Sequence, residues 1–83
     1  MKIYTEDSIH NFNFWSGGKD TVDDLTWDEI DTIETMLDEL YMEIEDVELN
    51  DFFWFERDTI AEWLGYENYD ELLHDRYDNS NGN

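Results

Sequence analysis

The stretch "TWDEIDTIETMLDELYMEI", residues 26–44, decides how this chain is read. Thr26-x-x-Glu29 has the form of a capping box, in which a hydroxyl and a carboxylate each take up an orphan backbone N–H at a helix start. Trp27, Ile30, Ile33, Met36, Leu37, Leu40, Tyr41 and Ile44 then recur at helical spacing. The pattern predicts one long amphipathic helix, its acidic part running from Asp28 to Glu45. Every charge on it is negative. Asp28 and Glu29 lie in the first turn, where the helix dipole favours acids. Asp38, Glu39 and Glu43 lie near the other end, where it opposes them, so local helix energetics do not explain those three.

Working outward, the chain has 83 residues, enough for one small domain. Residues 1–77 read as a single acidic domain and 78–83, "DNSNGN", as a flexible polar tail with no apolar residue. Apolar residues make up 40% and aromatics 17%, which argues for a packed core, since disorder goes with high charge and few aromatics. The expected fold is mainly α: a small bundle of four to five short helices around an aromatic core, with one or two short N-terminal or central strands. "KIYT" at 2–5 alternates like a strand, and its best partner is the segment around Ile44 and Val47. Ser8 is placed to cap a helix over "IHNFNFW", with Ile9, Phe12 and Trp15 on one face, and "SGG" at 16–18 to break it. "KDTVDDL" reads as a second short helical piece. Asn50 or Asp51 is placed to cap a helix over "FFWF", Asp58 one over "TIAEWLG" ending at Gly65, and Asn68 one over "YDELLHDRY".

The charge is the anomaly. There are 24 acids against Lys2, Lys19, Arg57 and Arg76, a net charge of −20. Between Asp20 and Glu56 stand 15 acids and no Lys or Arg. Self-repulsion at this density opposes a compact state. Solubility asks only for a net charge of magnitude about 2–8 in a small domain. Direct nucleic-acid binding needs cations to replace phosphate counterions, and an anionic membrane would repel the chain, so both are excluded as partners. Basic surfaces and cations remain. With no Cys there is no disulfide or thiolate site. No apolar run approaches the ~20 residues of a membrane span. "MKIYTEDSIH" lacks the apolar core of a signal peptide, so a cytoplasmic location is expected.

Chemical motifs are weak. A calcium loop starting at Asp46 would carry Asp51 where Gly belongs and Arg57 where the bidentate Glu belongs. Glu71 and His74 have the i, i+3 spacing of a carboxylate-bridged di-iron helix, but the other histidine, His10, has no Glu three residues before it. With 24 acids, a pair at glycosidase spacing carries no information. There is no Gly-rich phosphate loop and no nucleophile elbow. The sequence therefore assigns no catalytic residue, no cofactor and no metal ligand.

"NDFFWFERDTIAEWLGYENYDELL", 50–73, with "FNFWSGGKDTVDDLT" upstream, resembles small acidic proteins carried by phages and other mobile elements of Clostridia-like bacteria. In size, acidity and scarcity of bases the chain is also similar to DNA-mimic inhibitors of the anti-CRISPR and anti-restriction type. That second likeness implies a host defence nuclease as target, inside a bacterial cell. The expectation is thus a nucleic-acid mimic, monomeric or homodimeric, that occupies the basic channel of a Cas or restriction nuclease. Its phosphate surrogates would be Asp24, Asp28, Asp31, Glu34, Asp38, Glu45 and Asp46. Exposed members of the aromatic run Phe52–Phe55, foremost Phe52, Phe53 and Trp54, would anchor it. The alternative is an acidic interaction module for a basic protein that is not a nuclease. Acid-rich surfaces also occur as salt adaptation, which the large aromatics suit less well.

Overall fold

The computed structural model describes residues 2–3 and 8–80. Its central element forms where the capping box places it. Thr26 Oγ1 accepts from the Glu29 N–H at 3.2 Å and Glu29 Oε1 accepts from the Thr26 N–H at 2.9 Å. The first long helix of the bundle follows, Trp27–Leu40, and buries Ile30, Ile33 and Leu37. In chain order the elements are β1 (Lys2–Ile3), a single 3-10 turn (Ile9–Asn11), α1 (Ser16–Asp23), α2 (Trp27–Leu40), β2 (Glu43–Ile44), α3 (Asp46–Phe55), α4 (Arg57–Trp63) and α5 (Tyr69–Ser80). The fold is mainly α, as the apolar periodicity implies.

The predicted long helix stops at Leu40, five residues before Glu45. Tyr41 turns extended, and its N–H closes on the Leu37 carbonyl at 2.8 Å. A strand pairing wins over helix continuation here. β1 and β2 run parallel with Ile3 opposite Ile44, and both isoleucines are buried. The pairing of the N-terminal segment with Ile44 is as expected, but Val47 lies in α3 and is exposed, and residues 4–5 of "KIYT" lie outside the described ones. Glu45 becomes the N-cap residue of α3, and Asp46 and Glu48 lie in its first turn. These acids thus sit at the favourable end of a new helix dipole rather than at the unfavourable end of α2.

The N-terminal segment departs from the expected helix. Ser8 caps only the 3-10 turn, accepting from the His10 N–H, and Phe12 is extended. Ile9 and Phe12 are buried but Trp15 is exposed. "SGG" opens α1 instead of breaking a helix. Gly17 and Gly18 are buried because α3 lies directly on them: a Cβ on Gly17 would overlap the Trp54 indole and one on Gly18 the Asn50 side chain. Close helix approach, not flexibility, is the use of these two glycines. Phe12 and Phe14 pack edge to face at 4.7 Å, and Phe14 continues onto Phe53 at 4.9 Å.

Asn50, predicted as a cap, lies mid-helix in α3, where its Oδ1 accepts from the Trp15 N–H at 3.0 Å. Asp58, predicted to cap α4, lies inside it and accepts from the Tyr69 N–H at 2.9 Å, tying α4 to the start of α5. Gly65 ends α4 with a φ of 95°. The Tyr66 N–H reaches the Ala61 carbonyl at 2.9 Å and the Gly65 N–H the Glu62 carbonyl at 3.0 Å, the two bonds of a Schellman motif. Asn68 caps α5 by accepting from the Glu71 N–H at 2.8 Å. α5 runs to Ser80, three residues into the predicted tail, and 81–83 lie outside the described residues. Among the described residues no helix is long and apolar enough to cross a membrane.

Candidate acidic interface

The basic residues explain why so much negative charge is left at the surface. Arg57 turns inward: its Nε donates to Thr21 Oγ1 at 2.6 Å and a terminal nitrogen donates to the Gly17 carbonyl at 2.9 Å. Arg76 donates to both carboxylate oxygens of Glu29 at 2.6 Å and to the Asp24 carbonyl. Lys19 pairs with Asp23 one turn along α1 at 2.8 Å. Each base with a described side chain is therefore engaged within the fold.

The acids spread over all of the helices. Asp28, Asp31, Asp38 and Glu39 are exposed on α2, Glu43 and Glu45 between α2 and α3, Glu48 on α3, and Glu62, Asp70, Glu71 and Asp75 on α4 and α5. Asp28, Asp31 and Asp38 lie on one stripe, with axial steps of roughly 4.5 and 10 Å. The chain measures 43 × 22 × 20 Å. Its net charge of −20 along 43 Å is about one charge per 2 Å, against roughly one per 1.7 Å of duplex DNA.

The predicted surrogates divide into two groups. Asp28, Asp31, Asp38 and Glu45 are exposed. Asp24, Glu34 and Asp46 are half-buried. Asp24 ends α1 and does not continue the α2 stripe. It accepts from the Tyr69 hydroxyl at 2.8 Å and the Tyr77 hydroxyl at 2.6 Å. Burial first, and then this bond to Asp24, push the Tyr69 hydroxyl well above its ordinary pKa. Glu34 accepts from the Ile9 N–H at 2.9 Å and the Ser8 hydroxyl at 3.4 Å. Asp24 and Glu34 thus hold neighbouring elements together, and the charge presented at the surface rests on the exposed set.

Among the aromatics, Phe53 is 0% exposed and is removed as an anchor: it faces the core because it shares the inner side of α3 with Leu49 and Asn50. Phe52 is half-buried and stacks on Trp63 at 5.3 Å. Trp54 and Phe55 stack on each other at 4.9 Å and face outward. They border an open cleft of about 520 Å³ lined also by Glu56, Arg57, Asp58, Thr59, Tyr69 and Asp70. Phe55, the last member of the run, is exposed because it lies two residues after Phe53, on the opposite side of the helix.

One cluster has no counterpart in the sequence reading. The fold brings His10 to Asp31 and Glu34, with a ligand-type atom of each within 4.8 Å of the others, the one such group among the described residues. His10 Nε2 lies 3.5 Å from Asp31 Oδ1, and the ring stacks on Trp27 at 3.7 Å. The partners of His10 are not three residues away on its own helix but on α2, so local spacing gave no signal. Glu71 and His74 are both exposed on α5. No protein-family model, curated protein or solved structure matches the chain.

Proposed function

We infer that the protein is a nucleic-acid mimic that inhibits a host defence nuclease of the Cas or restriction type by occupying its basic channel in the bacterial cytoplasm. The carrying observation is the charge per unit length, about one net negative charge per 2 Å over 43 Å, close to that of a duplex. The inward engagement of Arg57 and Arg76 supports the reading, because it commits two of the four bases to contacts within the fold. Such a surface attracts a cationic channel at long range and binds it fast and with strong salt dependence. Asp28, Asp31, Asp38 and Glu45 carry the phosphate role, and Trp54 with Phe55 supplies an apolar contact at the edge.

The test compares two triple variants of equal net charge. Asp28→Asn/Asp31→Asn/Asp38→Asn removes the α2 stripe. Glu62→Gln/Glu67→Gln/Asp70→Asn removes three exposed acids elsewhere. Inhibition of DNA cleavage is measured across a panel of Cas9-type and restriction nucleases. The stripe variant loses at least tenfold more inhibition than the control variant. Equal losses would remove the α2 stripe from the interface.

A second reading, an acidic module for a basic protein that handles no nucleic acid, draws on the exposed Trp54–Phe55 pair, which a purely phosphate-like surface does not need. Recovery from host lysate of only such proteins would favour it.

A further inference from the structure

We propose that His10, Asp31 and Glu34 form a binding site for a divalent transition metal of the zinc type, held between the 3-10 turn and α2. The inference does not rest on the mimic reading, although both use Asp31, and zinc titration of the isolated chain reads it without a nuclease. It begins with the histidine. The His10 side chain is only 10% exposed, and its Nε2 makes no hydrogen bond among the described residues. A buried polar atom left so is costly and calls for an explanation. Asp31 Oδ1, at 3.5 Å, lies beyond the ~2.7–3.2 Å of an N–H···O bond. Zinc ligands stand ~2.0–2.2 Å from the ion, which places neighbouring ligand atoms ~3–3.5 Å apart. The His10–Asp31 spacing already meets that requirement.

Glu34 completes the set from the next turn of α2. Asp31 and Glu34 are three residues apart, so one face of the helix presents both carboxylates to the histidine. Glu34 is oriented by the Ile9 N–H and the Ser8 hydroxyl, the kind of outer support that fixes a ligating carboxylate. Trp27, stacked on the imidazole, fixes the ring. Asp31 is 66% exposed, so an ion can reach the site from solvent. One nitrogen and two oxygens, with water in the remaining positions, suit zinc and its first-row neighbours. Calcium and magnesium take oxygen ligands and have no use for the imidazole.

The experiment is calorimetric titration of the full chain with zinc chloride in ~0.5 M sodium chloride, which screens the exposed carboxylates. The expected result is one zinc per chain. Binding is lost in His10→Gln, weakened at least tenfold in Asp31→Asn and unchanged in His74→Gln. Cobalt added in place of zinc broadens the NMR signals of the His10 ring and the Trp27 indole before those of His74. Circular dichroism checks that each variant is folded. Should His10→Gln fail to fold, the surface substitution Asp31→Asn decides by itself. Several equal weak sites, or an Asp31→Asn variant that binds zinc as well as the parent, would overturn the proposal.

Discussion

Gly18→Ala tests the packing that positions α3 and its outward aromatics. A Cβ at residue 18 would stand 2.7 Å from the Asn50 side-chain carbon and 2.9 Å from the Asn50 backbone oxygen. The second contact matters more, because a backbone atom retreats only if α3 moves. Overpacking of this kind destabilises by about 1–3 kcal/mol. Displacing Asn50 also weakens its bond to the Trp15 N–H, worth about 1 kcal/mol. The gain in helix propensity from Gly to Ala offsets at most about 1 kcal/mol. The net loss is then about 1–3 kcal/mol, a fall in Tm of roughly 5–20 °C for a domain of this size. Gly17→Ala is the internal control. Its Cβ overlaps Trp54 indole atoms rather than α3 backbone, so the ring must be displaced but the helix need not move, and the loss is smaller than for Gly18→Ala. Urea and thermal melts followed by circular dichroism read both variants. Adding Asn50→Ala to Gly18→Ala recovers part of the loss through the coupling of the two sites. A Gly18→Ala variant as stable as the parent would refute the close α1–α3 contact.

Arg76→Ala breaks the two-pronged bond to Glu29, whose side chains are 23% and 18% exposed. It lowers stability in urea by about 2 kcal/mol, between the limits for exposed and buried pairs, and Arg76→Lys restores only part of this. The raised pKa of Tyr69 means that the folded state holds the phenolic proton more tightly than the unfolded state does. The corresponding stability is complete below the unfolded value near pH ~10 and is lost as pH rises above it. Urea midpoints therefore fall above pH ~10 in the parent and less steeply in Tyr69→Phe, so the two curves converge. Raising sodium chloride from ~20 mM to ~0.5 M screens the self-repulsion of 20 net charges and raises Tm; a Tm that stays flat would contradict the view that repulsion strains the fold.

What was legible in the sequence follows from how local each signal is. The capping box, the Gly65 stop and the Asn68 cap are decided within four residues of chain, and each forms as read. The end of α2 was not legible, because helical spacing from Trp27 to Ile44 is unbroken and the competing strand partner, Ile3, lies 41 residues away. For the same reason Trp27 and Leu40, assigned to the apolar stripe, prove 67% and 63% exposed: periodicity marks a face but not how far its neighbours reach. The glycines of "SGG" read locally as a break because their use depends on Trp54 and Asn50 in a distant helix. At the acidic surface, the sequence shows where charge is dense but not which acids are held by the fold. Asp24 and Glu34 are engaged through contacts 25 to 53 residues apart in sequence. Asp38 and Glu39 remain exposed at the wrong end of a helix dipole, which local energetics do not account for.

The central claim is that a nuclease reads this surface as nucleic acid. The most direct measurement is the dissociation constant of the protein for each of a panel of Cas9-type and restriction nucleases, with the channel free and with the channel loaded by its own nucleic acid, over a series of salt concentrations. The account predicts that loading abolishes binding and that affinity for the free channel falls steeply as salt rises. Binding to the loaded nuclease with undiminished affinity would contradict it.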